Sequence, residues 1–166
     1  ERANMKYIGK IYEKYVDEIY KFVYLKTYDN DLTQDIVSDT FFKALNKINT
    51  FKIDDNANFR AWIYRISYNL IIDNSKNKEI NTSIDEFFEF WYENDLAKDL
   101  DNKEKLKKVL DYFDTLNPKH KEILVMRFWD DLSFKEISQI TWQSLDNCKK
   151  IVSRSLKNLP REQFLL

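Results

Sequence analysis

The chain has 166 residues, 43% of them hydrophobic and 16% aromatic, with 27 Lys and Arg against 28 Asp and Glu for a net charge of −1. That much apolar mass excludes a disordered chain, and one cysteine, Cys148, with one histidine, His120, excludes an internal disulfide and the usual zinc clusters and argues against a His-based triad. No run of about eighteen apolar residues could span a bilayer and no apolar stretch follows a basic N-terminus, so the expectation is a cytoplasmic protein with no membrane partner.

With Gly9 the single glycine, and only Pro118 and Pro160 as prolines, the chain has few marks for hairpins, which predicts an all-α fold with short polar turns. From Met5 to Tyr28 the positions Ile8, Ile11, Tyr12, Tyr15, Val16, Ile19, Phe22 and Val23 recur at three and four, the period of a long amphipathic helix. Met5 is read as a natural start preceded by four extraneous residues. After a turn over Asp29 to Asp31, Asp31 with Gln34 resembles a capping box. Leu32, Ile36, Val37, Phe41, Leu45 and Ile48 then carry a second helix to about Ile48. A polar loop from Asn49 to Asn58 leads into a third helix, predicted from Phe59 to about Lys76.

That third helix begins FRAWIYRISYNLIID, from Phe59 to Asp73. Its period puts Phe59, Trp62, Ile63, Ile66 and Leu70 on one buried face and leaves Arg60, Tyr64, Arg65, Tyr68 and Asn69 on the rest. Aromatic rings and guanidinium groups on an open helical face suit unstacked nucleic-acid bases. Ordinary core and rim residues give the same periodicity.

Residues 79–101 are acidic, with Lys98 the lone base, and read as a linker between two small helical domains, 5–78 and 102–166. The aromatics Phe87, Phe88, Phe90, Trp91 and Tyr92 make it sticky, with docking on this chain or on a partner both open. A helix near Lys103 then carries Leu106, Val109, Leu110 and Phe113. Asn117 and Pro118 fit an N-cap and first helical position for a helix through Ile123, Leu124, Met126 and Phe128 to about Trp129. Ser133 with Glu136 forms a capping box for a short helix through Phe134, Ile137 and Ile140. A turn from Trp142 to Ser144 precedes a last helix on Leu145, Cys148, Val152, Leu156 and Leu159. Short helix, tight turn, longer helix is the helix-turn-helix outline. The last helix holds five bases, Lys149, Lys150, Arg154, Lys157 and Arg161, against one acid, Asp146. Such a footprint fits DNA phosphates, though a solvated terminal helix has the same charges.

Taken in order, DLTQDIVSDTFFKAL from Asp31, FRAWIYRISYNLIID from Phe59 and LNPKHKEILVMRFWDDLSFKEISQI from Leu116 resemble bacterial RNA polymerase sigma factors. The likeness is to the extracytoplasmic-function type, which has regions two and four only. It implies a non-enzymatic initiation factor without cofactor or metal, whose partners are core RNA polymerase (β′ clamp coiled coil and β flap) and promoter DNA, with an anti-sigma factor as a further one. By position it implies core binding at Asp35, Ser38, Asp39 and Thr40. The −10 contacts implied are Asn69, Asp73, Tyr68, Arg65, Lys76, Lys78, Asn56 and Asn58, and the −35 contacts Ser144, Asn147, Lys149, Lys150, Ser153, Arg154 and Lys157. The chain departs from the family at Asp131 and Trp142, where glycine is common, and at Ile151, where arginine is. At Trp142 either the turn has another geometry or packing offsets the strain. The alternative function is a sigma-like adaptor that binds polymerase or an anti-sigma protein without reading a promoter.

Overall fold

The computed structural model describes residues 2–51, 58–75, 108 and 111–158. The expectations on the loop 52–57, on the acidic segment and on Lys76 and Lys78 lie outside them. The chain divides into two compact units, one centred on residues 1–81 and the other on residues 82–138 and 143–166. The described residues form helices and turns and contain no strand.

In the first unit, α1 (Arg2–Thr27) and α2 (Asn30–Lys47) are followed by a single 3-10 turn (Ile48–Thr50) and by α3 (Phe59–Ser75). Each of the three helices packs on the other two. The three-four period of α1 buries Tyr15, Ile19, Phe22 and Val23, as expected, and Leu25 joins them. Against these lie Ile36, Val37, Phe41 and Ala44 of α2 and Ala61, Ile63, Tyr64, Leu70 and Ile71 of α3. Burial of side chains this size, at roughly 1.5–3 kcal/mol each, is what holds helices that would be marginal alone. Buried hydroxyls are satisfied locally: Thr40 donates to the Ile36 carbonyl (2.7 Å), Ser67 to the Tyr64 carbonyl (2.8 Å), and Thr27 and Thr33 share a 2.7 Å bond.

Several sequence expectations for this unit are corrected. The cap of α2 is Asp29, not Asp31: Asp29 is extended (φ −134°, ψ 115°) and its Oδ1 accepts the Leu32 N–H at 3.0 Å. Tyr28, at φ 48°, turns the chain so sharply that α2 starts before Asp31, which instead sits in the first turn near the positive end of the helix dipole. Tyr64, expected on the open face of α3, is 2% exposed. Because α3 meets both α1 and α2, its buried arc is wider than one stripe and takes in Ala61, Ser67 and Ile71 as well. Phe59, Trp62 and Ile66 are only half-buried.

In the second unit, helical residues 111–114 precede α4 (Pro118–Phe128), α5 (Phe134–Thr141) and α6 (Leu145–Asn158). Asn117 caps α4, its Oδ1 accepting the Lys119 N–H at 2.9 Å, and Pro118 occupies the first turn, as the dipeptide predicts. Asn117→Ala is expected to cost about 1 kcal/mol in chemical denaturation; an unchanged midpoint would show that this cap contributes nothing. The capping box of α5 forms in both directions. Ser133 N–H donates to Glu136 Oε2 (2.8 Å) and Glu136 N–H to Ser133 Oγ (3.2 Å). Phe113, Ile123, Leu124, Met126, Leu132, Ile137, Ile140, Cys148, Ile151 and Val152 fill the core. The Tyr112 phenol donates to the Ser155 carbonyl at 2.8 Å, tying residues 111–114 to α6; burial pushes its pKa above the ordinary value, which keeps it a donor.

Candidate nucleic-acid interface

The side of α3 turned away from the core carries Arg65 and Tyr68, half-buried, and Asn69 and Asp73, exposed. Asn69 and Asp73 are four apart, so their side chains stand one above the other on the same helical face. Asn58, just before the helix, is its cap: Oδ1 accepts the Ala61 N–H at 3.1 Å, which commits that oxygen to the backbone. At the same end Phe51, Phe59 and Trp62 form an aromatic cluster, with centroids 5.0 Å apart for Phe51–Trp62, 5.3 Å for Phe59–Trp62 and 5.5 Å for Phe51–Phe59. Phe51 escaped the sequence reading because it follows the second helix out of period. Its signal was its place beside the polar loop, opposite Phe59 and Trp62.

On α2, Asp35, Ser38 and Asp39 are exposed and form a polar outer face. Thr40 does not belong with them. It is fully buried and its hydroxyl is spent on the Ile36 carbonyl, so the expectation of a polymerase contact there is corrected: one residue past Asp39 the helix has turned into the core.

In the second unit α5 and α6 are joined by residues 142–144. Trp142 has φ 61° and Asp131, between α4 and α5, has φ 48°. Both turns thus take the left-handed geometry that glycine accommodates, without glycine. For Trp142 this rules out another turn geometry; a left-handed residue there costs roughly 1–2 kcal/mol, and its side chain is 69% exposed. Ile151 is buried, facing the core rather than outward. Lys149, Lys150, Ser153, Arg154 and Lys157 are exposed along α6. Ser144 is exposed too and acts as the cap, its Oγ accepting the Asn147 N–H at 3.1 Å. Asn147 also donates from Nδ2 to Gln143 Oε1 at 2.8 Å. Gln143 was missed by the sequence reading, although its spacing of four from Asn147 was visible.

The residues 11–79 match the family model described as Sigma-70 region 2, and residues 112–160 that described as Sigma-70, region 4. The RNA polymerase sigma factor SigV of Bacillus subtilis is 31% identical, covering 82% of this chain and 77% of its own. The ECF RNA polymerase sigma factor SigM of the same organism is 26% identical over 92% of both chains. BldN, an ECF RNA polymerase sigma factor of Streptomyces coelicolor, is 27% identical over 92% of this chain, which spans 59% of BldN's length. Among solved structures, the sigma factor RpoE of Bartonella quintana, captured with the anti-sigma factor NepR, superposes with a TM-score of 0.63 at 18% identity, covering 94% of this chain and 96% of its own. CnrH, captured with the cytosolic domain of CnrY, gives 0.61 at 18%, covering 93% and 86%. These two likenesses speak for the fold. Two sigma regions in their proper order, together with the identity to SigV, establish that this chain belongs to the sigma-70 family of RNA polymerase sigma factors, as an extracytoplasmic-function sigma factor for transcription initiation.

Proposed function

We propose that the chain binds core RNA polymerase through the exposed Asp35, Ser38 and Asp39 of α2, with residues 5–78 serving the −10 element and residues 102–166 the −35 element. The observation that carries this reading is the division of α3 into a core face and an exposed Asn69–Asp73 row, with the aromatic cluster of Phe51, Phe59 and Trp62 at the N-terminal end of the same helix. A carboxylate and an amide on one face can hold unpaired bases by their edges. Stacking on aromatic rings contributes about 1–3 kcal/mol per base, which offsets part of the few kcal/mol that unpairing costs. Arg65, Tyr68, Lys76 and Lys78 would grip the adjacent strand, with Asn56 and Asn58 at the loop. Lys149, Lys150, Ser153, Arg154 and Lys157 would hold phosphates and base edges of the upstream element.

The action needs no covalent chemistry and no bound cofactor, only differential binding of an open promoter. No helix among the described residues is long and apolar enough to cross a membrane, and the protein works in the cytoplasm, where its polymerase is. The capture of the Bartonella RpoE with NepR supports an anti-sigma protein as a further partner. The adaptor reading drew on Trp142 and Ile151. Ile151 lies in the core, and the two sigma regions and the relatives SigM and SigV support the initiation reading over the adaptor one.

Holoenzyme rebuilt with core polymerase should yield specific run-off transcripts from templates of the source genome. Core binding without any promoter-dependent transcript would sink the initiation reading. Asn69→Ala should lower the rate of promoter opening about tenfold, the equivalent of one lost hydrogen bond of about 1.4 kcal/mol, with core affinity unchanged; loss of core binding instead would mean that the two faces of the first unit are misassigned.

A further inference from the structure

We propose that Gln143 and Asn147 act as one coupled amide unit that reads an A·T pair in the major groove of the upstream promoter element. The inference rests on the assignment of α6 to that element and adds a base to it. The exposed cations of α6, Lys149, Lys150, Arg154 and Lys157, offer donors only, which suits phosphates and the acceptor edge of guanine. A carboxamide is different. It carries an acceptor and a donor side by side, the complement of the N6 amine and N7 of adenine.

Asn147 is exposed in the first turn of α6, the part of a recognition helix that reaches base edges. A side chain there gains discrimination only if its amide plane is fixed before DNA arrives, since a freely rotating one gives up entropy on binding. The structure fixes it by a chain of bonds. The Ser138 hydroxyl of α5 donates to the Gln143 carbonyl (2.7 Å), which anchors the turn. Gln143 Oε1 then accepts one N–H of Asn147 (2.8 Å), while Ser144 Oγ accepts the Asn147 backbone N–H (3.1 Å). An amide nitrogen has two hydrogens, so with one given to Gln143 a second is left for the bidentate pair with adenine, in which Oδ1 accepts from N6. Gln143 is therefore a positioning residue for Asn147.

The test offers holoenzyme, assembled from the full chain and bacterial core polymerase, a template library randomised across the upstream element and sequences the transcripts. Wild type should favour A·T at one position by about 5- to 150-fold, the range for a good bidentate contact. Asn147→Ala should erase that preference and leave the others. Gln143→Ala should weaken the same preference several-fold, with the double variant no worse than Asn147→Ala alone. Gln143→Glu keeps an acceptor for Asn147 and should retain the preference while weakening overall binding, a rescue that a merely structural role would not produce. Gln143→Ala with an unaltered preference, or two variants that relax different positions, would overturn the coupling while leaving the −35 assignment standing. A wild type that initiates without any upstream preference would overturn the assignment itself and this proposal with it.

Discussion

Tyr64→Ala is expected to destabilise the first unit by about 3–5 kcal/mol, the cost of deleting a buried aromatic ring, whereas Tyr64→Phe should cost about 1 kcal/mol. The ring is 2% exposed and meets Phe22 edge-on at 4.8 Å between centroids. Its hydroxyl donates to Glu18 Oε2 at 3.3 Å, and that oxygen also accepts the Arg60 Nε–H at 2.9 Å. Losing the phenol oxygen therefore leaves the Glu18 carboxylate with a partner, while losing the ring leaves a cavity among three helices. Against a total stability of about 5–15 kcal/mol, the alanine variant should lose core binding at physiological temperature. Urea unfolding followed by circular dichroism measures both variants. A cost below about 1.5 kcal/mol for Tyr64→Ala would show that Tyr64 is not a core residue, and that the open-face reading of α3 was right.

The second large effect concerns charge rather than packing. Replacing Lys149, Arg154 and Lys157 together by alanine is expected to cut the salt slope of promoter binding by about 2.7, since each neutralised phosphate contributes roughly 0.9. At low salt the affinity should fall by orders of magnitude. All three side chains are exposed on α6 and the core face of that helix, Cys148, Ile151 and Val152, is left intact, so the variant should fold. Fluorescence anisotropy on a promoter fragment across a salt series gives the slope directly. An unaltered slope would mean that these cations are solvated and that another surface meets the phosphates.

Most helices were legible in the sequence because their signals are local. Asn117–Pro118 and Ser133–Glu136 announce helix starts by chemistry that needs no tertiary partner, and each cap formed as written. The start of α2 was not decidable in the same way, since Asp29 and Asp31 are both competent caps; the left-handed turn at Tyr28 chose between them. Periodicity also fixes the centre of a buried stripe better than its width. A helix packed on two neighbours buries more than one stripe, which is why Tyr64 and Thr40 moved inward. The candidate site was legible as faces, Asn69 with Asp73 and the cations of α6. Gln143 emerged only from the hydrogen bond that spans the helix start, a contact that spacing permits but does not announce.

Cys148 is the chain's single thiol, and it is fully buried on α6, next in sequence to Asn147. A small disulfide reagent reaches it only when the packing around α6 opens, so the rate of thiol labelling under native conditions is an internal clock for that opening. Bound DNA holds α6 closed, and the slowing of the clock converts into the free energy with which a promoter clamps the helix. The protein thus carries its own probe for timing the engagement of α6.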